Sequence, residues 1–414
     1  MTATDTAPFP PTPTPATKVP PRKGNPWRPT FGGVWLVTRV ELLRRRPSVK
    51  GYIFYGLLLA AILALGILVA VVAGDDMTST PLELVLVLVL GAGMLIGPSL
   101  SATSINGDSG EGVLAPLQMT HLTAGDLAVG KLLASWFVSF AVLVTTAPFL
   151  LYAYSRSGWH WHELLTVLGV IMAVVLVSTA IGLAWSAIAA RAVASVSLAH
   201  LTTGFFLIGT LVIFAFTMPL VSETVTNGQR YIDWERLTPE QSEALDEAYM
   251  TGDFSQLDAE SYVCVEDTWD MSVAHTERTA WMVLVNPVVV IGEVSPIVST
   301  ETYEEDGRAA PGLFAMMHQM VSSARIGPTE FDLESSSYDE CAELVRWAEA
   351  GTQTWDDSEW EDQWAEQQEE QANYPRAPWL GLAVQAVLFV GSMAIVIRRL
   401  RVPYRTLRTG TRVA

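Results

Sequence analysis

Six stretches of the chain are apolar over the length of a bilayer crossing: roughly Tyr52 to Ala73, Leu82 to Leu100, Leu127 to Tyr154, Leu164 to Ala190, Ala192 to Val221 and Trp379 to Ile397. A hydrocarbon layer about 30 Å thick needs about 20 such residues per helix, and lipid offers no partner to an unpaired backbone N–H or C=O. The pattern predicts an all-α polytopic membrane protein with six transmembrane helices, five of them within residues 52–221 and the sixth at 379–397. Glu83, Lys131 and His200 are the only acidic or basic side chains inside these runs.

Charge is sorted around the runs. Nine of the 25 Lys and Arg residues precede the first, including Arg44, Arg45, Arg46 and Lys50, and six follow the last, from Arg398 to Arg412. Basic residues beside a span resist translocation, so both termini are expected in the cytoplasm, the second as a basic tail over 398–414. An even number of spans agrees. Residues 222–378, between the fifth and sixth runs, then lie outside the cell. They carry 34 of the 43 acidic residues and seven basic ones, a net of −27 against +9 for the remainder. The overall charge of −18 therefore belongs to one extracellular domain, and a basic footprint for nucleic acid is absent.

Residues 1–30 have nine prolines before position 30 and almost no apolar periodicity, and read as a disordered cytoplasmic tail. They lack the early apolar core of a cleavable signal peptide, so the first span is expected to direct insertion. Within residues 31–50, Trp35, Leu36, Val40 and Leu43 recur at helical spacing beside Arg39, Glu41 and Arg44. This predicts an amphipathic interface helix in the inner headgroup layer; a cytoplasmic extension of the first span, ended by Pro47, is the alternative. Gly93 and Gly97, followed by Pro98, predict close packing and a bend in the second span. Trp159, His160, Trp161 and His162 read as an aromatic interface belt rather than a metal site, since nothing nearby completes a ligand set.

The loop over 101–126, SATSINGDSGEGVLAPLQMTHLTAGD, combines a short apolar face (Val113, Leu114, Leu117) with Asp108, Glu111 and the glycines at 107, 110 and 112. A short helix held between two spans can pass force to a cytoplasmic partner; a solvated connector is the plainer reading. The succession Asp108, Glu111, Gly112-Val113-Leu114, Leu117, Thr120, Leu122 and Gly130-Lys131 entering a long span resembles the signature loop of the ABC type-2 exporter permeases. It departs from that pattern at Val113, Ala115 and His121, where the family has Thr, Glu and Pro. Six spans, a preceding interface helix, and a re-entrant or surface segment at 281–296 with Asn286-Pro287 also resemble the family, in particular its actinobacterial members.

The resemblance implies a permease subunit of an ABC exporter in a bacterial cell membrane, multi-pass, forming the translocation path but not itself an enzyme. ATP and magnesium would sit on separate ATPase subunits, and this chain would hold no cofactor, metal or catalytic residue. Asp108, Glu111, Gly112, Leu114, Leu117 and Thr120 would couple to the ATPase, with Trp35, Glu41 and Arg44 on the interface helix. Ser99, Ser101, Thr202 and Thr203 are candidates for lining the path, although such hydroxyls often bond to their own helix. A second permease copy or a paralogue would complete the transporter. Gly125 to Lys131 has the G-x-x-x-x-G-K spacing of a phosphate-binding loop, but Leu132 replaces the Ser or Thr that would hold magnesium, and an apolar span follows.

The acidic domain is expected to be mostly helical. Thr238-Pro239-Glu240-Gln241 has capping-box spacing with proline at the first helical position, and 338–350 and 358–372 have helix-favouring acidic composition. Cys264 and Cys341 are the only cysteines; in an extracellular domain a disulfide is expected if they are close, with two buried thiols as the alternative. The acidic clusters Glu304-Glu305-Asp306 and Asp356 to Asp362 read as solvated faces, since no calcium-loop spacing is present. A non-transporting membrane receptor or anchor, whose acidic domain binds an external partner, is the second reading of the whole chain.

Overall fold

The computed structural model describes residues 25, 27–45, 49–72, 79–296, 312–329, 338–353 and 357–401. The proline-rich tail up to Gly24, Pro47, the Glu304–Asp306 cluster, Asp356 and the basic tail beyond Arg401 lie outside them. The chain is mostly helical. It opens with α1 (Phe31–Arg44), whose first turn is capped by Thr30 Oγ1 accepting the Gly33 N–H, and α2 (Val49–Val72). There follow α3 (Thr80–Ser101), α4 (Ser104–Gly110), α5 (Leu114–Met119), α6 (Ala124–Val144), α7 (Ala147–Tyr154), α8 (Trp161–Ile188), α9 (Ala192–Gly204) and α10 (Thr210–Thr217).

Among the described residues five stretches are long and apolar enough to cross a membrane: Thr80–Gly110, Ala124–Ala141, Trp161–Ile188, Ala192–Leu220 and Gln363–Leu400. The chain is thus compatible with a multi-pass membrane protein.

Two expected spans are not uniform helices. The third breaks between α6 and α7 because Pro148, in the first turn of α7, has no N–H to return to the preceding turn. Thr146 Oγ1 bonds the Leu143 carbonyl there instead, at 2.6 Å. The fifth carries one wide π turn, Phe205–Gly209, between α9 and α10. Its Leu207 carbonyl accepts the Asn286 side-chain amide at 2.8 Å, an external partner of the kind that π turns admit.

Helices α3 and α8 form the centre. Gly93 lies against Val175 and Gly97 against Thr179, with no room for a Cβ at either glycine, so this small-residue pair is used within the chain. Leu86, Val89, Leu90, Val167, Ile171 and Val175 are buried around it. In lipid such contacts stabilise through van der Waals packing rather than through removal from water.

After α10 the chain forms β1 (Ser222–Ile232), α11 (Pro239–Thr251), β2 (Cys264–Ala274), α12 (Trp281–Leu284), α13 (Pro287–Val294), α14 (Leu313–Ile326), β3 (Tyr338–Asp339), α15 (Glu340–Ala350) and α16 (Asp357–Asn373). Helix α17 (Pro378–Leu400) closes the described chain but for Arg401. The segment expected to be helical therefore also contains a three-stranded sheet in the order β2-β1-β3. β1 and β2 pair antiparallel from Ser222↔Ala274 to Ile232↔Cys264, and β3 joins β1 in parallel at Gln229 and Arg230.

At the far end of this ribbon sits a small lobe with its own core: Ile232, Leu245, Phe254, Tyr262, Leu344 and Trp347. Thr238 and Gln241 cap α11 reciprocally, and Asp339 caps α15. A Cys264–Cys341 disulfide, with a Cα–Cα distance of 6.5 Å, joins the start of β2 to α15. At the near end, α12 and α13 are folded among α10, α14 and α17, with Val283, Leu284, Val289 and Val321 buried.

Candidate functional site

The Lys131 side chain, on α6, is fully buried. A buried ammonium is tolerated only when paired and hydrogen-bonded, and two elements far away in sequence meet that demand. Its Nζ lies 2.5 Å from Glu41 Oε1 on α1 and 2.5 Å from Asp108 Oδ2 on α4, and donates to the Ser104 carbonyl at 3.2 Å. Arg44, one turn after Glu41, bonds Asp108 Oδ1 and Glu111 Oε2, each at 2.9 Å. The Asp108 bond, together with the charges of Asp108, Glu41 and Glu111, outweighs partial burial and raises the Arg44 pKa above its ordinary value. Arg45 Nε lies 3.8 Å from Glu41 Oε2, and Arg45 also donates to the Leu100 carbonyl at 2.9 Å. Three bases and three acids thus lock α1, α4 and α6 together.

Further bonds prevent these elements from sliding. Asp126, in the first turn of α6, accepts the Thr30 N–H and hydroxyl through Oδ1 and the Thr123 N–H through Oδ2. Thr38 Oγ1 donates to the Gly130 carbonyl at 3.2 Å, and the bare Gly130 lets Val37 approach the α6 backbone. Ser186 Oγ on α8 accepts the Ile105 and Asn106 N–H groups, while Asn106 Nδ2 donates to Ser195 Oγ on α9 at 2.8 Å. A polar cavity of about 290 Å³ opens beside the knot, bordered by Arg45, Ser99, Thr103, Asp108 and Glu111.

Of the expected coupling residues, Asp108 is buried and Glu111 exposed, both on Arg44. Gly112 takes φ +71° at the corner between α4 and α5, a conformation that favours glycine. Leu114 and Leu117 are partly buried against the core formed by Val37, Ile105 and Leu127. Thr120 is exposed and caps the end of α5 through the Leu117 carbonyl. On α1, Glu41 faces inward, while Trp35, Leu36, Val40 and Leu43 form an exposed apolar stripe.

The four proposed lining residues separate. Ser101 and Thr203 are buried and bond to carbonyls of their own helices. Thr202 accepts the Trp185 indole N–H at 3.0 Å. Ser99 is exposed and pairs with His200 Nε2 at 2.9 Å, so one polar contact joins α3 and α9. Of the aromatic residues expected in an interface belt, Trp159 is buried beside Phe314 and Trp161 is exposed beside Tyr154. Among the described residues no His, Cys, Asp or Glu group has metal-binding geometry.

A second buried array has no counterpart in the sequence expectations. Glu293 on α13 meets His318 Nδ1 on α14 at 2.8 Å, and its other oxygen accepts the Ala377 N–H at 2.7 Å where α17 begins. Ser322 Oγ lies 3.5 Å from His318 Nε2. The connectivity follows that of a charge-relay triad, with Ser322 0 % exposed, and the array ties α13, α14 and the start of α17 together. Burial acts against ionisation of Glu293, yet the His318 bond, the Ala377 N–H and the charges of His318 and Arg325 hold its carboxyl below the ordinary value. Glu83 serves similarly on α3, accepting the Phe314 N–H at the start of α14 at 2.7 Å.

The chain matches no protein-family model, no curated protein and no solved structure.

Proposed function

We propose that this chain is the permease subunit of an ATP-driven exporter of the ABC type-2 kind, moved by a separate ATPase. Counting α2 as a crossing helix brings the spans to six, with both tails in the cytoplasm and residues 222–378 outside. The observation that carries the reading is Lys131 held between Glu41 and Asp108. It makes the interface helix α1, the loop helix α4 and the long helix α6 one mechanical unit. Force applied by a partner to the exposed Glu111 and Thr120 edge would pass into α6 without being lost to slippage between elements. Closure of the ATPases would then shift two permease halves between inward-open and outward-open states. Lys131 has both neighbouring carboxylates as partners, which supports placing ATP on the other subunit rather than in the Gly125–Lys131 segment.

The test is recovery of an ATPase with the full-length chain in mild detergent, followed by measurement of its ATP turnover in vesicles. Glu111→Ala combined with Thr120→Ala should lower turnover about tenfold, a loss of about 1.4 kcal/mol of coupling, while leaving membrane insertion unchanged. If no ATPase is recovered from native membranes and none is stimulated, the receptor or anchor reading replaces this one.

A further inference from the structure

The open side of β2 has the chemistry of a docking edge. Two bonds set the phase of the ribbon: Asp233 N–H to the Val263 carbonyl at 2.9 Å and His275 N–H to the Val221 carbonyl at 3.0 Å. Bonded and non-bonded pairs alternate along an antiparallel ladder. The odd-numbered residues of β2 therefore exchange bonds with β1, and Glu266, Thr268, Asp270 and Ser272 turn their N–H and C=O groups outward. No backbone bond reaches that side among the described residues. The opposite side of the ribbon is already entered, by β3 at Gln229 and Arg230 and by Glu340 Oε2 on the Ile232 N–H.

Side chains sharpen the picture. Glu266, Thr268, Asp270 and Ser272 share one face of the strand, and Val265, Trp269, Met271 and Val273 share the other with Asp267. Residues 266–270 are all exposed. Natural proteins guard an open edge with charge, and a guard of one sign is selective. A second copy laid along this edge would bring Glu266, Asp267 and Asp270 near their own equivalents, an arrangement that like charges oppose.

We infer that β2 accepts an added strand from a partner protein, an extended segment in which Lys or Arg alternates with apolar residues. The basic side chains lie on the face of Glu266 and Asp270, and the apolar ones continue the row of Trp269 and Met271. Main-chain bonds supply the affinity and the alternation supplies the specificity, as in other cases of strand addition. The inference uses only the ribbon and stands whether or not the chain is a transporter.

The test uses the full chain in detergent and a short labelled peptide of alternating Lys and Val, with a Glu and Val peptide for comparison. The basic peptide should bind about tenfold or more tightly than the acidic one, and Thr268→Pro should weaken it about tenfold. Proline at Thr268 removes an outward N–H and leaves the ladder to β1 its bonds. Glu266→Lys with Asp270→Lys should reverse the preference. Methylating the backbone nitrogens of either the Lys or the Val set should abolish binding for one set only, the set whose N–H groups face β2. Absence of binding by the basic peptide overturns the inference, as does binding that Thr268→Pro leaves unchanged, which would mark simple attraction to an acidic surface. Should Thr268→Pro fail to fold, the methylated peptides decide on the unaltered chain, and equal binding by both overturns the inference.

Discussion

Lys131 is the residue on which the α1 end of the molecule turns. Its ammonium pairs with Glu41 and Asp108, and Asp108 pairs with Arg44 as well. Lys131→Met should cost about 3–5 kcal/mol, because two buried carboxylates would then face one another. Adding Glu41→Gln should recover much of that loss, since a neutral side chain of similar shape no longer sets a second buried carboxylate against Asp108. Thermal unfolding in detergent reads both changes, and a Lys131→Met protein as stable as the parent would show that the knot carries no load. Glu293 sets a second expectation, in pH. Its carboxyl is held below the ordinary value in the folded protein, so its contribution is present above about pH 4.3, the value expected in the unfolded chain, and is lost as pH falls through the folded value. The melting temperature of the parent should fall more steeply on acidification below about pH 4.3 than that of Glu293→Gln. Parallel melting curves for the two would remove Glu293 from the account.

Elements differ in how they are held, and this separates the lobe from the helices beneath it. The lobe packs around eight fully or nearly buried residues, Ile232, Leu245, Ala248, Phe254, Tyr262, Cys341, Leu344 and Trp347. The disulfide closes a loop of 77 residues through that core, which in the chain-entropy model stabilises it by about 4–5 kcal/mol. Cys264→Ser with Cys341→Ser should raise hydrogen exchange in α11 and α15 by orders of magnitude and leave α3 and α8 unchanged. Uniform protection in both regions would mean that the lobe does not depend on the bridge. The same contrast explains what the sequence made legible. The apolar helices were readable because lipid leaves the backbone no alternative, and α11 because Thr238 and Gln241 stand at the one spacing that caps it. The ribbon is not legible in the same way. Val265, Trp269, Met271 and Val273 do alternate along one face, but Glu266, Asp267 and Asp270 between them gave the stretch the composition of a solvated loop. At the knot, Asp108, Glu111, Glu41 and Arg44 could be picked out, whereas their convergence on Lys131 spans 23 and 90 residues and is created only by packing. Glu293 and His318 were invisible for that reason too: each stands alone in its own segment until α13 and α14 meet.

At the scale of the whole molecule the helices are unevenly covered. In the most apolar window of Ala192–Leu220 only 11 % is buried within the chain, against 61 % for Ala124–Ala141. Leu201, Phe205, Ile208, Val212 and Phe216 recur at three- and four-residue steps and are all exposed, so α9 and α10 present one continuous apolar stripe. On the proposed function this stripe is where a second permease half packs, with Ser99 and His200 at the same α3–α9 seam. Both native cysteines are engaged in the lobe disulfide, so a single introduced cysteine reports on its own surroundings. Ile208→Cys should give an oxidation-dependent dimer in native membranes. Leu165→Cys, equally exposed but on α8, should remain monomeric under the same treatment. Equal cross-linking at the two positions would reflect random collision in the bilayer, and failure at Ile208 with success at Leu165 would move the interface to α8. Either result would detach the α9–α10 stripe from assembly and leave it as a surface wetted by lipid, whereas selective cross-linking at Ile208 would bring the Ser99–His200 contact to the boundary between two halves.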